Sequence, residues 1–306
     1  MYRTFVIVRH TFFESIVQPI YSLLMGLGAA ILVIFALLPF FTLGEDTIMF
    51  KAVGLDVIML LVLIATLFAT SRSIFDEIED RTMLTLMSKP VKRWEVLVGK
   101  YLGIVTAAAL AVAVLGAVLL LCTWARIPGD YQMRTRTLDE RELRSILEMR
   151  LMHISGLVPS LILLWLQIAV LAAIGVALST RFSLVVNLPV VILLYIAGNL
   201  TRFLYASGGD GGGMPLADRP WIVRAFAYMV SLLLPYLETF DLRQKTVYSV
   251  IQLPGTVYAS DARGVPVGEI LSYTGVSALY AACYAVFALA VGMWLFQTRE
   301  LGGAEG

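Results

Sequence analysis

The chain has little charge for its length, and this shortage sets its class. Of its 306 residues, 15% are charged and 59% are apolar, whereas soluble domains have about 25% and about 45–50%. The mean hydropathy is +0.84. We therefore predict an integral membrane protein. A net charge of +1 also argues against a nucleic-acid partner, which requires a basic face.

Residues and motifs that carry catalysis or metal binding are scarce. The two cysteines, Cys122 and Cys283, lie in apolar runs and predict packing rather than a disulfide framework. The two histidines, His10 and His153, are far apart and lack H-E-x-x-H spacing. Neither G-x-x-x-x-G-K-[ST] nor G-x-S-x-G occurs. We predict a protein that is not an enzyme and itself binds no metal, ATP or other cofactor.

Long apolar runs are what the chain has in abundance. A helix needs about 20 mostly apolar residues to cross a bilayer. The sequence therefore predicts an all-α fold of six transmembrane helices within one domain, residues 1–306. The six spans are Pro19–Leu43, Val53–Ser71, Tyr101–Thr123, Gly156–Thr180, Leu184–Leu204 and Tyr273–Phe296.

Charge in the short loops predicts the orientation. The loop Gly44–Lys51 is acidic on balance, whereas Arg72–Lys100 is rich in cations. Because cations near span ends favour the cytoplasmic side, Arg72–Lys100 is predicted to be cytoplasmic. An even number of spans then places both termini in the cytoplasm, in a multi-pass protein of the inner membrane.

Three segments outside the spans have a pattern of their own. Met1–Ile16 carries an apolar and a polar helical face, which predicts an interfacial helix or, alternatively, an extension of the first span. Trp124–Ser155 has capping-box spacing at Thr137–Glu140 and predicts a charged short helix on the outer side. Trp221–Leu237 is short for a span and predicts an interfacial or re-entrant segment, with a seventh span as the alternative.

The predicted spans carry no Lys, Arg, Asp or Glu midway, so no residue suggests ion coupling. Gln167 and Asn187 are predicted to form hydrogen bonds between helices, and Gly99-x-x-x-Gly103 to allow close helix approach. A transporter-like membrane domain without ion-coupling residues needs an external energy source.

One charged segment, Phe75–Lys100, has internal order. Four carboxylates come first, followed by an apolar turn, a break at Pro90 and a cationic, aromatic group. This order predicts a helix, a corner and a second helix that leads into the third span.

The same segment resembles a family signature. Arg81-Thr-Met-Leu-Thr-Leu-Met87, Ser88-Lys-Pro-Val91 and Arg93-Trp-Glu-Val-Leu-Val-Gly-Lys-Tyr-Leu102 are similar to the signature of ABC-type-2 permeases, the membrane subunits of bacterial ABC exporters. Leu234–Arg243 and Phe296–Leu301 also resemble bacterial members. The resemblance implies an N-terminal interfacial helix, a cytoplasmic coupling helix between spans two and three, and a partly re-entrant outer segment before span six.

The resemblance further implies ATP-driven transport by two permeases, either two copies or this chain with a sibling, beside ATP-binding subunits that carry ATP and Mg. Docking of such a subunit is assigned to the coupling helix, with the residues Asp76, Glu77, Glu79, Asp80, Arg81, Thr82, Leu84, Leu86 and Met87. The turn and the start of span three are assigned to Pro90, Arg93, Trp94, Gly99 and Lys100.

The Trp124–Ser155 insertion departs from compact members of the family, so no cargo is inferred. The alternative hypothesis is a structural membrane subunit that transports nothing and recruits a soluble partner through its outer loops.

Overall fold

The computed structural model describes residues 2–38, 46–79, 92–130, 140–205, 220–222, 224, 235–256, 259 and 264–297. These residues are almost entirely helical, in agreement with the predicted all-α class. The long helices are α1 Tyr2–Val17, α2 Pro19–Leu37, α3 Asp46–Thr70, α4 Arg93–Asp130, α5 Glu140–Ser179, α6 Leu184–Tyr205 and α7 Val267–Gln297.

Short elements complete the described fold. The path of α3 continues as a π-helical segment, Ser71–Asp76, and a last turn, Glu77–Glu79. A 3-10 turn, Leu237–Phe240, and a one-turn helix, Arg243–Thr246, precede α7. Two strands of two residues each, Ile251–Gln252 and Val265–Pro266, pair in parallel.

The described helices support a multi-pass membrane protein. Five of them are long and apolar enough to cross a bilayer: Pro19–Leu37, Asp46–Glu79, Arg93–Ile127, Arg144–Ser179 and Val267–Gln297. The apolar part of α6, Leu184–Asn199, is shorter. The membrane class is therefore confirmed, while the count of six spans stays a prediction.

Several helices extend well beyond the predicted spans. The predicted short outer helix within Trp124–Ser155 is wrong, because α5 runs without interruption for 40 residues. At about 1.5 Å per residue, such a helix exceeds a hydrocarbon core of about 30 Å, so part of it must project beyond the core. The predicted Thr137 cap lies outside the described residues, as does most of Trp221–Leu237.

Helix α3 lies at the centre of the packing. Its side chains Leu55, Ile58, Leu63 and Leu67 are almost completely buried, against α2, α4 and α5. Helix α7 packs along α5, and α1 packs along α4. The peripheral helices α2 and α7 leave large apolar side chains exposed, among them Leu23, Leu37, Val286 and Phe287. Such surfaces suit contact with lipid.

Aromatic and amide side chains link the helices by hydrogen bonds. The Tyr21 hydroxyl donates to the carbonyl of Ala107 at 3.0 Å, and the Trp165 indole donates to the carbonyl of Val105 at 3.1 Å. Asn187 of α6 donates through Nδ2 to two groups of α5, the Gly175 carbonyl at 3.2 Å and Ser179 Oγ at 2.7 Å. The predicted interhelical role of Asn187 is confirmed.

The charged residues of α3, Asp46, Lys51 and Asp56, all lie in its first half. Between Asp56 and Arg72 the helix carries no charged residue, a distance of about 24 Å at 1.5 Å per residue. Asp56 binds Arg243 at 2.6 Å. Burial alone would lower the pKa of Arg243, but the hydrogen bond and charge of Asp56 raise it above its ordinary value. The uncharged length is close to the thickness of a hydrocarbon core, about 30 Å.

Candidate functional site

Directly after α3 the helix changes from α to π geometry, just before the charged loop Phe75–Lys100 begins. Residues Ser71–Asp76 form π-helix, with Ser71, Ser73 and Ile74 buried and Arg72 and Asp76 exposed. Segments of π-helix are rare and are frequently found at functional sites. The predicted docking segment therefore starts on a locally unusual backbone.

Lys100 joins the second turn of α4 to this π-helical end of α3. It is 3% exposed, and its ammonium forms an ion pair with Glu77 Oε2 at 2.7 Å. The ammonium also donates to the Ser73 carbonyl and to Ser73 Oγ, the latter at 3.2 Å. Three partners match the three donors of an ammonium group, so the buried charge is fully compensated. The sequence assigned Lys100 to the start of span three, and in the structure its side chain points into the bundle.

Arg93 links the other end of the loop to α7. Its Nη1 donates to the carbonyls of Phe296 and Gln297, each at 3.3 Å, and its guanidinium lies 5.5 Å from the Phe296 ring centroid. A cation at a helix C-terminus is favoured by the helix dipole. Arg93 therefore holds the start of α4 against the end of α7.

The start of α4 is also capped. The Lys92 amide donates to Glu95 Oε2 at 3.0 Å, which satisfies one of the donors that every helix N-terminus leaves unpaired. Trp94 is 47% exposed and lines a cleft of 680 Å³ between α4, α5 and α7. The lining of this cleft is almost entirely apolar.

The two glycines of Gly99-x-x-x-Gly103 allow α1 to lie directly against α4. A Cβ atom at Gly99 would lie 2.8 Å from Ile7 Cγ2, and one at Gly103 would lie 2.7 Å from Thr11 Cβ. Both distances are too short for a side chain, so the predicted close approach is present. The apolar side chains Phe5, Val6, Phe13 and Val17 of α1 stay exposed, and a membrane-facing role for them remains a prediction.

The structure describes only part of the predicted docking helix. Asp76 and Glu79 are exposed, and Glu77 is half-buried against Lys100. Seven predicted site residues lie outside the described residues: Asp80, Arg81, Thr82, Leu84, Leu86, Met87 and Pro90.

Sequence reasoning missed the partners of Lys100 and Arg93. It named none of Ser73, Phe296 and Gln297 as a partner of Lys100 or Arg93. A lysine beside an apolar run ordinarily extends its ammonium to the membrane interface, so no sequence signal identified the buried partners of Lys100. Among the described residues, no group of three or more His, Cys, Asp or Glu side chains could hold a metal ion.

Comparison with known families gives one match. A family model described as an ABC-2 family transporter protein matches residues 55–301, which include the Glu77–Lys100 pair and the Arg93 contacts. A search of the curated proteins gave no match.

Proposed function

The chain belongs to the ABC-2 family of transporter proteins, and on that premise we propose that it is the permease subunit of an ATP-driven exporter. A separate ATP-binding subunit, which carries ATP and Mg, docks on the loop Phe75–Lys100. Two permeases, either two copies or this chain with a sibling, form the transport path. In this arrangement the loop end of the bundle and both termini face the cytoplasm.

The observation that carries this proposal is the attachment of the loop at both ends. At its beginning, Glu77 and Ser73 are bound to Lys100 of α4. At its end, Arg93 is bound to the last residues of α7. A displacement of the loop by a partner would therefore act on α3, α4 and α7 together. Packed helices transmit such displacements as rigid bodies.

The charge of the loop supports a cationic docking groove on the partner. Asp76 and Asp80 stand at i,i+4, as like charges that destabilise an isolated helix. Glu79 is exposed beside them. Cations of an ATP-binding subunit would neutralise Glu79 and Asp80, and the apolar residues Leu84, Leu86 and Met87 would supply the contact area.

Charge reversal tests the docking. The double variant Glu79→Lys with Asp80→Lys should abolish co-purification with the cognate ATP-binding subunit, because it places cations against cations. The matched control is Asp210→Lys with Asp218→Lys, the same change in charge within the loop at the predicted outer side. If the first variant retains the complex as well as the control does, the docking site is wrong.

A reconstituted complex separates transport from the alternative of a structural subunit. Stimulation of ATP hydrolysis by the permease, lost in the Glu79→Lys with Asp80→Lys variant, is expected of a transporter. A structural subunit would leave the ATPase rate unchanged in both proteins.

A further inference from the structure

A cleft of 310 Å³ lies at the loop end of the bundle, between the start of α2, the π-helical end of α3 and the start of α6. Its volume is at the lower end of the range for small-molecule sites, about 300–1,000 Å³. The lining residues are Gln18, Pro19, Ile20, Phe68, Ser71, Arg72, Asp76 and Leu184.

Two buried polar groups of this cleft lack partners. Gln18 is 6% exposed and Ser71 is 1% exposed. Within the described ranges, neither Gln18 Nε2 nor Ser71 Oγ has a hydrogen-bond partner. Buried donors without partners are costly and uncommon in native proteins. Two of them in one cleft indicate a bound group that accepts hydrogen bonds.

Two features of the cleft favour an anion. Helix α2 begins at Pro19, and no side chain caps its N-terminus, where the helix dipole is positive and attracts phosphate. Arg72 is exposed on the rim of the same cleft. Its guanidinium offers paired donors that match the geometry of a phosphate group.

The rest of the lining identifies the molecule that carries the phosphate. Ile20, Phe68 and Leu184 supply an apolar wall, at the start of α2, near the end of α3 and at the start of α6. We propose that this cleft binds the headgroup phosphate of a phospholipid through Gln18, Ser71 and Arg72. The Asp76 carboxylate accepts the ammonium of the same headgroup, which selects phosphatidylethanolamine. This proposal does not depend on docking of an ATP-binding subunit.

Native mass spectrometry of the delipidated full chain in detergent tests the site. Phosphatidylethanolamine, phosphatidylglycerol and a diacylglycerol with the same acyl chains are titrated separately. Wild-type protein should bind phosphatidylethanolamine, and Arg72→Gln and Gln18→Leu should each weaken that binding about tenfold or more, as expected for loss of a hydrogen bond to a charged group. Arg9→Gln is the matched control, since Arg9 is an exposed arginine of α1 outside the cleft.

A thermal measurement guards against misfolded variants. Phosphatidylethanolamine should raise the unfolding midpoint of wild type and of Arg9→Gln, but not of Gln18→Leu, whose apolar side chain can fill the same space. Ser71→Ala is the second variant, and phosphatidylethanolamine should not raise its unfolding midpoint either.

Four results would overturn the proposal. The first is that Arg72→Gln and Gln18→Leu bind lipid as tightly as Arg9→Gln does. The second is that diacylglycerol binds as tightly as phosphatidylethanolamine. Millimolar inorganic phosphate would displace the lipid, which would assign the site to free phosphate. Phosphatidylglycerol bound as tightly as phosphatidylethanolamine would refute the role given to Asp76.

Discussion

Replacing Glu77 with glutamine removes the only carboxylate that the described structure places against the buried Lys100 ammonium. At 2.7 Å and an effective dielectric constant near 20, the gross attraction is about 6 kcal/mol. The net loss is smaller, because glutamine can still accept a hydrogen bond and the Glu77 side chain is 27% exposed. The ammonium also keeps its Ser73 partners. We expect a loss of about 2–3 kcal/mol, below the range for fully buried pairs.

Thermal unfolding in detergent measures this loss. For a chain of this size, about 2–3 kcal/mol corresponds to a midpoint lower by about 5 °C. Glu79→Gln is the control for stability, since Glu79 is exposed two residues away and its replacement should change stability by about 0.5 kcal/mol or less. The double variant Glu77→Gln with Lys100→Met should recover at least about 1 kcal/mol relative to the sum of the single changes.

Three outcomes would refute the reasoning. If Glu77→Gln unfolds at the same temperature as Glu79→Gln, or if the double variant is additive, the pair contributes no specific stability. If Glu77→Gln is less stable but transports with the same number of ATP molecules hydrolysed per cargo, the pair holds the fold without transmitting motion. The proposed role of the loop attachment would then be wrong.

Three further predictions follow from the same contacts. Gly103→Leu should cost about 1–3 kcal/mol by overpacking against Thr11, seen as a lower unfolding midpoint and as faster proteolysis within α1. Asn187→Ala should lower the free energy of unfolding by about 1 kcal/mol, since it removes two hydrogen bonds to α5. Asn199→Ala should lower it less in the same thermal melt, because in the described structure the Asn199 amide donates only within its own helix. Arg93→Gln should weaken the α4–α7 contact by about 1–2 kcal/mol and reduce transport per ATP hydrolysed, measured in proteoliposomes; unchanged transport would contradict the attachment.

Composition and run length predicted the membrane class and most of the long helices, because crossing a bilayer demands apolar length. The ends of the helices were predicted less well. Helix α3 begins at Asp46, before the predicted span start at Val53, and α4 begins at Arg93, before the predicted span start at Tyr101. Hydropathy detects only the part of a helix that contacts lipid or other apolar side chains. The polar turns beyond that part form because charged partners and caps such as Glu95 satisfy them.

The candidate site was predicted as a segment, but its contacts were not. Lys100 and Glu77 lie in different helices, so no helical periodicity relates them. The partners of Arg93 lie more than two hundred residues further along the chain. Such pairs result from the packing of α3, α4 and α7, which depends on the whole bundle. The π-helical segment likewise has no sequence signal in the SRSIFD stretch.

Under the proposed docking, we expect the π-helical segment to be the first part of the bundle that moves when a partner displaces the loop Phe75–Lys100. From Asp46 to Thr70, α3 is regular α-helix with most of its side chains buried, and close packing leaves such a helix little freedom to bend. The change to π geometry at Ser71 separates this rigid part from Glu77, to which Lys100 is bound. Force on the loop would therefore rotate or shift the π-helical turns first. It would reach the Asp56–Arg243 pair only through rigid-body movement of α3, about 24 Å away at 1.5 Å per residue.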